Sequence, residues 1–401
     1  MSFDLLEANL GDFLIFKNGK SSPERADDLA YPVFGSNGII GRSEETNCTA
    51  DTIVIGRVGS YCGSVHFSEE KCWVSDNAIS CTTKQLGEEL FWFYFLKRLN
   101  LNQFSSGSGQ PLLNQATLNS VECIVPAESD IRIDIGNILR SFDRKISLNT
   151  QINQTLEAMA QAIFKSWFVD FDPVKAKMNG EQPQGMDDAT ASLFPDKLVE
   201  SELGLIPEGC RVGTLSSIVD VIMGQSPKGS TYNEDGEGVP LVNGPVEFGV
   251  YHPVAQKWTI APTKMSKDKD LIVCVRGSTT GRYVVSNGVY CLGRGVCSIR
   301  SKDFPSFANY LFKSELNSLL TLTTGSTFPS WSGPTLKNFN IVIPPSSIIE
   351  KFEPLVSKLC EMMASNVRES ESLSLIRDLL LPKLLSGEIE LEQADVLAEA
   401  S

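Results

Sequence analysis

Ser106-Gly107-Ser108-Gly109-Gln110-Pro111, running on to Ile124-Val125-Pro126, returns as Thr324-Gly325-Ser326-Thr327-Phe328-Pro329, running on to Val342-Ile343-Pro344. The offset is 218 residues, and Leu118 falls on Leu336 in the same register. Working outward, Asp51-Thr52-Ile53-Val54-Ile55-Gly56-Arg57 echoes Asp270-Leu271-Ile272-Val273-Cys274-Val275-Arg276 at offset 219. Nearer each start, Gly19-Lys20-Ser21 matches Gly224-Gln225-Ser226 at offset 205. A period this long marks a duplicated domain, since solenoid units run about 20–50 residues. Two similar units in one chain imply a two-part target, or a pseudo-symmetric partner, met by two related surfaces.

The 401 residues suffice for two or three domains, each with its own core. A hydrophobic fraction of 42% and a charged fraction of 21% are ordinary for soluble globular protein. No apolar run approaches the roughly 20 residues of a membrane span. Met1-Ser2-Phe3-Asp4 lacks the basic stretch and apolar core of a secretory signal. A cytoplasmic location and no membrane partner are therefore expected. The ten cysteines come no closer than Cys291 and Cys297, and only His66 and His252 could join them as ligands. Structural zinc shows clustered pairs, so no metal is expected and the cysteines read as small core residues.

The net charge of −14 hides an asymmetry. Met1 to Pro126 holds 9 Lys and Arg against 15 Asp and Glu, whereas Arg211 to Ile343 holds 13 against 9. Much of the remaining negative charge lies between the units and in the tail from Glu388 to Glu399. Non-specific affinity for nucleic acid scales with the phosphates neutralised, so a role there would need a basic partner.

In each unit, apolar runs such as Thr52 to Val58, Leu271 to Val275 and Tyr283 to Val285 alternate with Gly, Asn and Ser clusters. These read as strands and turns of a mainly β or α+β domain. Short helices are expected at Leu90 to Leu99 and Phe307 to Leu320. The period then lengthens. Ser129 and Ser346 follow helix-start signals as candidate N-caps. The first helix carries Ile135, Ile138, Phe142, Ile146, Ile152, Leu156, Met159, Ile163 and Trp167 on one face. The second carries Phe352, Leu355, Leu359, Met363, Leu373, Ile376 and Leu380 before Pro382 breaks it. Rods of roughly 55–60 Å overhang a domain of about 120 residues, which favours pairing of the two helices. They match at offset 217, Asn149 on Asn366 and Leu156 on Leu373. An antiparallel pair would let the two asparagines meet in the seam and fix its register; otherwise both face water. Asp170 to Gly209, rich in Pro, Gly, Asp and Glu, reads as a connector.

Catalytic signatures are missing. There is no Gly-x-x-x-x-Gly-Lys-Ser/Thr and no Gly-x-Ser-x-Gly. Phe34-Gly35-Ser36-Asn37-Gly38 lacks the strand–loop–helix context of a nucleotide fingerprint. In Asn243-Gly244-Pro245-Val246, Gly244 interrupts what would be a methyltransferase motif. What recurs is loop chemistry suited to polymer edges. Arg57, Ser60 and Tyr61 in one unit, and Arg276, Ser278, Thr279, Thr280 and Arg282 in the other, follow a strand end. Glycine permits close approach, hydroxyls donate or accept, and Arg can fork onto guanine or phosphate. A second loop pair offers Ser108 and Gln110 against Ser326 and Thr327, with Trp331 just beyond. Lys20 and Ser21, with Gln225 and Lys228, complete the candidate contacts. Ordinary turns kept by common ancestry would show the same glycines.

The helical motifs carry a resemblance. Ala160-Gln161-Ala162-Ile163-Phe164-Lys165-Ser166-Trp167-Phe168-Val169-Asp170-Phe171-Asp172-Pro173, with Val174-Lys175-Ala176-Lys177, closely resembles the central conserved region of Type I restriction–modification specificity subunits. Arg377-Asp378-Leu379-Leu380-Leu381-Pro382-Lys383-Leu384-Leu385-Ser386-Gly387-Glu388-Ile389 is similar to their C-terminal conserved region, and Gly224-Gln225-Ser226-Pro227 with Tyr232 to a frequent opening of the second recognition domain. The resemblance implies an α+β chain with two similar target-recognition domains, at 1–126 and 210–344, separated by two long antiparallel helices related by a pseudo-two-fold. Spacer helices would occupy 127–170 and 345–386, a linker 171–209 and an acidic tail 387–401.

It further implies a sequence-specific, non-catalytic DNA-recognition subunit. Each domain would read half of a bipartite double-stranded site, and the helices would set the gap. Two modification subunits would dock and supply adenine methylation from S-adenosylmethionine, flipping the base into their own pocket, with motor–nuclease restriction subunits joining for cleavage. Helix-face residues Phe142, Asn149, Leu156, Ile163, Phe164, Trp167 and Phe168, with Asn366, Leu373, Ile376, Leu380 and Leu381, would serve helix and subunit packing. The acidic first unit fits DNA less well. Either its charges segregate, with Lys17, Lys20, Arg42 and Arg57 on one face, or it binds only inside the complex. The rival readings are a protein-binding scaffold without DNA readout and an enzyme with an unrecognised site.

Overall fold

In a computed structural model describing residues 3–107, 111–325, 329–389 and 391, Thr52–Gly56 is buried along its whole length. An apolar, β-branched run covered on both faces belongs in the middle of a sheet. It pairs with Ala78–Thr83 on one side and Val65–Ser68 on the other, and Leu14–Asn18 completes a four-stranded antiparallel sheet. A smaller sheet sets Tyr31–Gly35 between Gly38–Ser43, antiparallel, and Trp73–Val74, parallel. The helix Glu89–Arg98 buries Phe91, Trp92, Phe93, Tyr94, Phe95 and Leu96 in this unit's core.

The second unit repeats the plan. Its four-stranded sheet runs Val219–Met223, Val296–Ser301, Leu271–Cys274, Tyr283–Val285. A smaller sheet again contains a parallel pair, Val239–Val242 with Cys291–Leu292. Strand register fixes the correspondence. Ile53 faces Cys81 as Leu271 faces Ile299, and Gly56 faces Ala78 as Cys274 faces Val296. The offset here is 218, one less than the Asp51/Asp270 match suggests. Arg57 therefore corresponds to Val275, and Arg276 to Val58. Neighbours in a strand point to opposite faces, so the two arginines are not counterparts.

The chain folds as two compact units, one of residues 1–148 with 369–401 and one of residues 149–368. Each unit contains a piece of both long helices, Ser129–Phe168 and Ser346–Leu385, which span about 60 Å apiece. In the first unit Asp143 pairs with Arg377, and Lys145 Nζ lies 3.5 Å from Glu369. In the second, Asn153 Nδ2 donates to Met363 O at 3.1 Å, and the Phe164 and Phe352 rings lie 5.7 Å apart. In both, rising numbers on one helix meet falling numbers on the other, so the pairing is antiparallel. Asn149 is buried and its amide donates to Asn366 O at 3.4 Å, while Asn366 Nδ2 donates to Asn153 Oδ1 at 2.8 Å.

Several details depart from the sequence reading. Ile152, Met159 and Leu355 are exposed, whereas Leu139, Ala160, Ile349 and Val356 are buried. A step of six residues cannot stay on one helix face. The true seam keeps steps of three and four by running through Asn149 and Asn153. The second helix passes through Pro382 to Leu385. An interior proline costs about 3 kcal/mol, but Leu380, Leu381, Leu384 and Leu385 are all buried around it, and each buried leucine contributes about 1.5–3 kcal/mol. Ser129 lies inside its helix, and its hydroxyl donates to Glu88 Oε1 at 2.7 Å. The helix expected from Phe307 to Leu320 is two, Pro305–Ser314 and Leu316–Thr321, because Glu315 takes a ψ of 1°.

The stretch read as a connector is folded. It forms helices at Asp172–Met178 and Asp188–Ser192 and a hairpin of Leu198–Ser201 with Gly204–Pro207. Val174 and Phe194 join the second unit's core, the latter 5.3 Å from the Trp167 ring. Burying these apolar side chains outweighs the loop-like composition. No helix among the described residues is long and apolar enough to cross a membrane.

Candidate nucleic-acid interface

At one end of each four-stranded sheet the same loops converge. Gly19 N–H donates to Ala78 O at 3.0 Å and Lys20 N–H to Val74 O at 3.0 Å; Gly224 and Gln225 make the same bonds to Val296 O and Leu292 O, at 3.0 and 2.8 Å. A Cβ on Gly19 would sit 2.0 Å from Ser75 O, and one on Gly224 2.1 Å from Gly293 O. Only glycine fits such close backbone approach. The partner segment is a four-residue turn in both units. Ala78 N–H closes onto Ser75 O at 2.9 Å, and Val296 N–H onto Gly293 O at 3.2 Å.

The strand-end loop is tied to this turn. Arg57 N–H donates to Asn77 O, and Val275 N–H to Gly295 O, both at 2.9 Å. It is also tied to the second loop pair. Leu113 N–H reaches Arg57 O at 2.9 Å as Trp331 N–H reaches Val275 O at 3.0 Å, and Gly59 reaches Pro111 O at 3.2 Å as Gly277 reaches Pro329 O at 2.9 Å. The fold thus gathers the recurring loops into one cluster per unit.

The side chains sort differently from the sequence expectation. Lys20, Ser21, Ser60 and Tyr61 are exposed in the first cluster, and Gln225, Lys228, Arg276, Ser278 and Arg282 in the second. Arg57 is half-buried, and its Nε is buried with no hydrogen-bond partner among the described residues. Arg42 is engaged with Leu29 O, Ala30 O and Glu70, so it holds its own loop. Lys17 is exposed. Thr279 is half-buried, and Thr280 Oγ1 lies 2.8 Å from both Gly277 O and Pro329 O, donating within its own loop and across to the second. Trp331 is 2% exposed, and its indole N–H donates to Leu319 O at 2.8 Å. It is a core residue, like its counterpart Leu113, and has no face to offer a base. Ser108, Gln110, Ser326 and Thr327 lie outside the described residues.

Two residues escaped the sequence reading, Asp76 and Arg294. Both are exposed at the second position of the shared turn. Applying the 218-residue offset to every charged position would have found them.

The helix-face residues divide by burial. Phe142, Asn149, Leu156, Phe164, Trp167, Leu373, Leu380 and Leu381 are buried, and Ile163, Phe168, Asn366 and Ile376 partly so. At the base of the first helix Glu88 is buried against Arg132, at 2.6 Å, and also accepts from the Trp92 indole at 2.8 Å. Burial pushes the Glu88 carboxyl up, but Arg132, Ser129 and Trp92 outweigh it and hold the group below its ordinary range. In the second unit Glu157 accepts from Tyr310 and Lys313 at 2.7 and 2.9 Å, and it too is held low against its burial.

These features define a class, a tandem-duplicated α+β protein with a matched loop cluster on each unit and long antiparallel helices. The chain belongs to the family of Type I restriction modification DNA specificity domains, whose sequence model matches twice, at residues 6–158 and 207–359. It is 29% identical to the Type I restriction enzyme HindI specificity subunit of Haemophilus influenzae, over 70% of this chain and 71% of that protein. It is 27% identical to the Type I restriction enzyme MjaIX specificity subunit of Methanocaldococcus jannaschii, over 77% and 70%. Its fold is similar to that of the Type I restriction–modification S subunit from M. genitalium, with a TM-score of 0.63, 16% identity and 96% of each chain covered.

Proposed function

We propose that this chain is the sequence-specific DNA-recognition subunit of a Type I restriction–modification complex. Each loop cluster reads one half of a bipartite site, and the paired helices set the gap between the halves. Two modification subunits dock on the chain and bring S-adenosylmethionine and the methyl-transfer chemistry, and motor–nuclease subunits join for cleavage. The chain itself performs no catalysis. The observation that carries this reading is the twofold match to a DNA specificity domain, with the same hydrogen-bonded loop cluster in each copy. A scaffold without DNA readout is not favoured by that match.

The clusters differ in charge. Lys228, Arg276, Arg282 and Arg294 are exposed in the second and form no ion pair among the described residues. The first offers Lys20, whose backbone bridges to Ser75, together with the exposed Asp76. With Arg42 and Arg57 engaged or half-buried, a basic face on the first unit is unsupported. That half engages DNA inside the assembled complex, where partners supply phosphate contacts. The test is co-expression with the modification subunit in a methylation-free host, followed by mapping of methylated adenines. A single split motif that disappears when this chain is omitted is the expected result. Methylation that is absent, or independent of this chain, would refute the assignment.

A further inference from the structure

The turn at the heart of each cluster is the same backbone with opposite charge at its tip. Ser75-Asp76-Asn77-Ala78 and Gly293-Arg294-Gly295-Val296 share three backbone hydrogen bonds: each closes on itself, receives the glycine of the preceding loop and receives the strand-end residue. Hydrogen bonds from two neighbouring segments therefore fix the base of each turn. All four side chains differ between the turns, and at the exposed second position the charge reverses, from the carboxylate of Asp76 to the guanidinium of Arg294. We propose that this position is a specificity determinant in both units, Asp76 reading a base amino group and Arg294 reading guanine.

The argument is one of donors and acceptors. Phosphate oxygens carry negative charge and accept hydrogen bonds, so a carboxylate beside the DNA backbone is repelled and has nothing to accept from. The donors exposed in the major groove are the base amino groups, and the customary partner of Asp is cytosine N4. Arg294 has the converse chemistry, its fork matching the O6 and N7 acceptors of guanine. Neither side chain is held in an ion pair among the described residues, so both are available. A base-reading group performs best on a rigid base, and these turns are cross-linked on two sides. Lys228 and Arg276 have no such sign-reversed counterpart, since their structural equivalents are Pro23 and Val58.

This inference rests on the DNA-reading role proposed above, and the experiment separates the two. The complex with the modification subunit is assembled with the unaltered chain, with Asp76→Ala and with Arg294→Ala, and methylated motifs are mapped for each. Asp76→Ala is expected to make one position of one half-site degenerate, with about ten-fold loss of discrimination there and the other half-site unchanged. Arg294→Ala is expected to do the same in the opposite half-site. Asp76→Arg should change the preferred base at the affected position rather than merely weaken methylation. An unchanged motif in both alanine variants, whether at full or uniformly reduced methylation, would overturn the assignment of this position and leave the DNA-reading role standing. No split motif with the unaltered chain would remove both.

Discussion

Trp331 and Arg276 illustrate how burial divides residues that look alike in sequence. Both sit in the recurring loops and both carry chemistry that DNA-binding proteins use, yet one is sealed in the core and the other is exposed. Trp331→Ala should destabilise the second unit by about 3–5 kcal/mol, read by thermal or denaturant unfolding, without altering the methylated motif. A changed motif in a stable variant would contradict the core assignment. The buried Glu88–Arg132 pair gives a pH-dependent prediction. With its pKa held low, Glu88 contributes stability that is present above the ordinary carboxylate range and is lost as pH falls through its lowered value. Arg132→Met removes the ion that opposes burial, which costs about 3–5 kcal/mol at neutral pH. The pKa of Glu88 then rises, so the deficit against the unaltered protein should narrow on acidification below about pH 5, a trend that paired melts at neutral and acid pH would test. Asp76 and Arg294 do not stand out in Ser-Asp-Asn and Gly-Arg-Gly taken singly, and the sequence shows them only when the 218-residue offset is applied to every charged position. The glycines at 19 and 224 were legible because backbone crowding leaves no alternative.

At the scale of elements, the central strands, the duplicated sheet and the antiparallel helix pairs could be read from periodicity and repetition. The errors have physical causes. A shared aspartate shifted one alignment by a residue, and only strand register, where a single step reverses every side chain, exposed it. An apolar stripe alone steps over the seam's own asparagines and draws in Ile152 and Met159, which are exposed. The segment 171–209 looked unstructured by composition, yet a few aromatic and aliphatic residues suffice to anchor it to a ready-made core. Pro382 signals a terminator by its missing N–H, yet the helix carries on for three residues. Pro382→Ala restores a backbone donor facing the carbonyl of residue 378. It should raise the stability of the first unit by up to about 3 kcal/mol, visible as a higher melting temperature. An unchanged or lower value would mean that the proline is already accommodated without loss.

At the scale of the molecule, the first unit is discontinuous: Leu373, Leu380, Leu381, Leu384 and Leu385 close the same core as Phe91, Trp92 and Phe142. Deleting residues 369–401 should therefore open the first unit and spare the second, which is drawn from residues 149–368. Limited proteolysis with fragment masses would show cleavage concentrated before residue 148. Equal resistance of both units would show that the C-terminal segment is dispensable to the first core.

The same discontinuity bears on how the protein is made. A ribosome delivers residues at about 5–20 per second, from the N-terminus onward. The strands of the first unit emerge early, but the leucines that seal their core come more than 200 residues later. By then the whole of the second unit has been synthesised. Folding order is thus set to run against gene order: the later unit can finish first, while the earlier one waits with part of its apolar surface uncovered. During that interval the nascent chain exposes apolar surface, the condition in which chains aggregate and chaperones act.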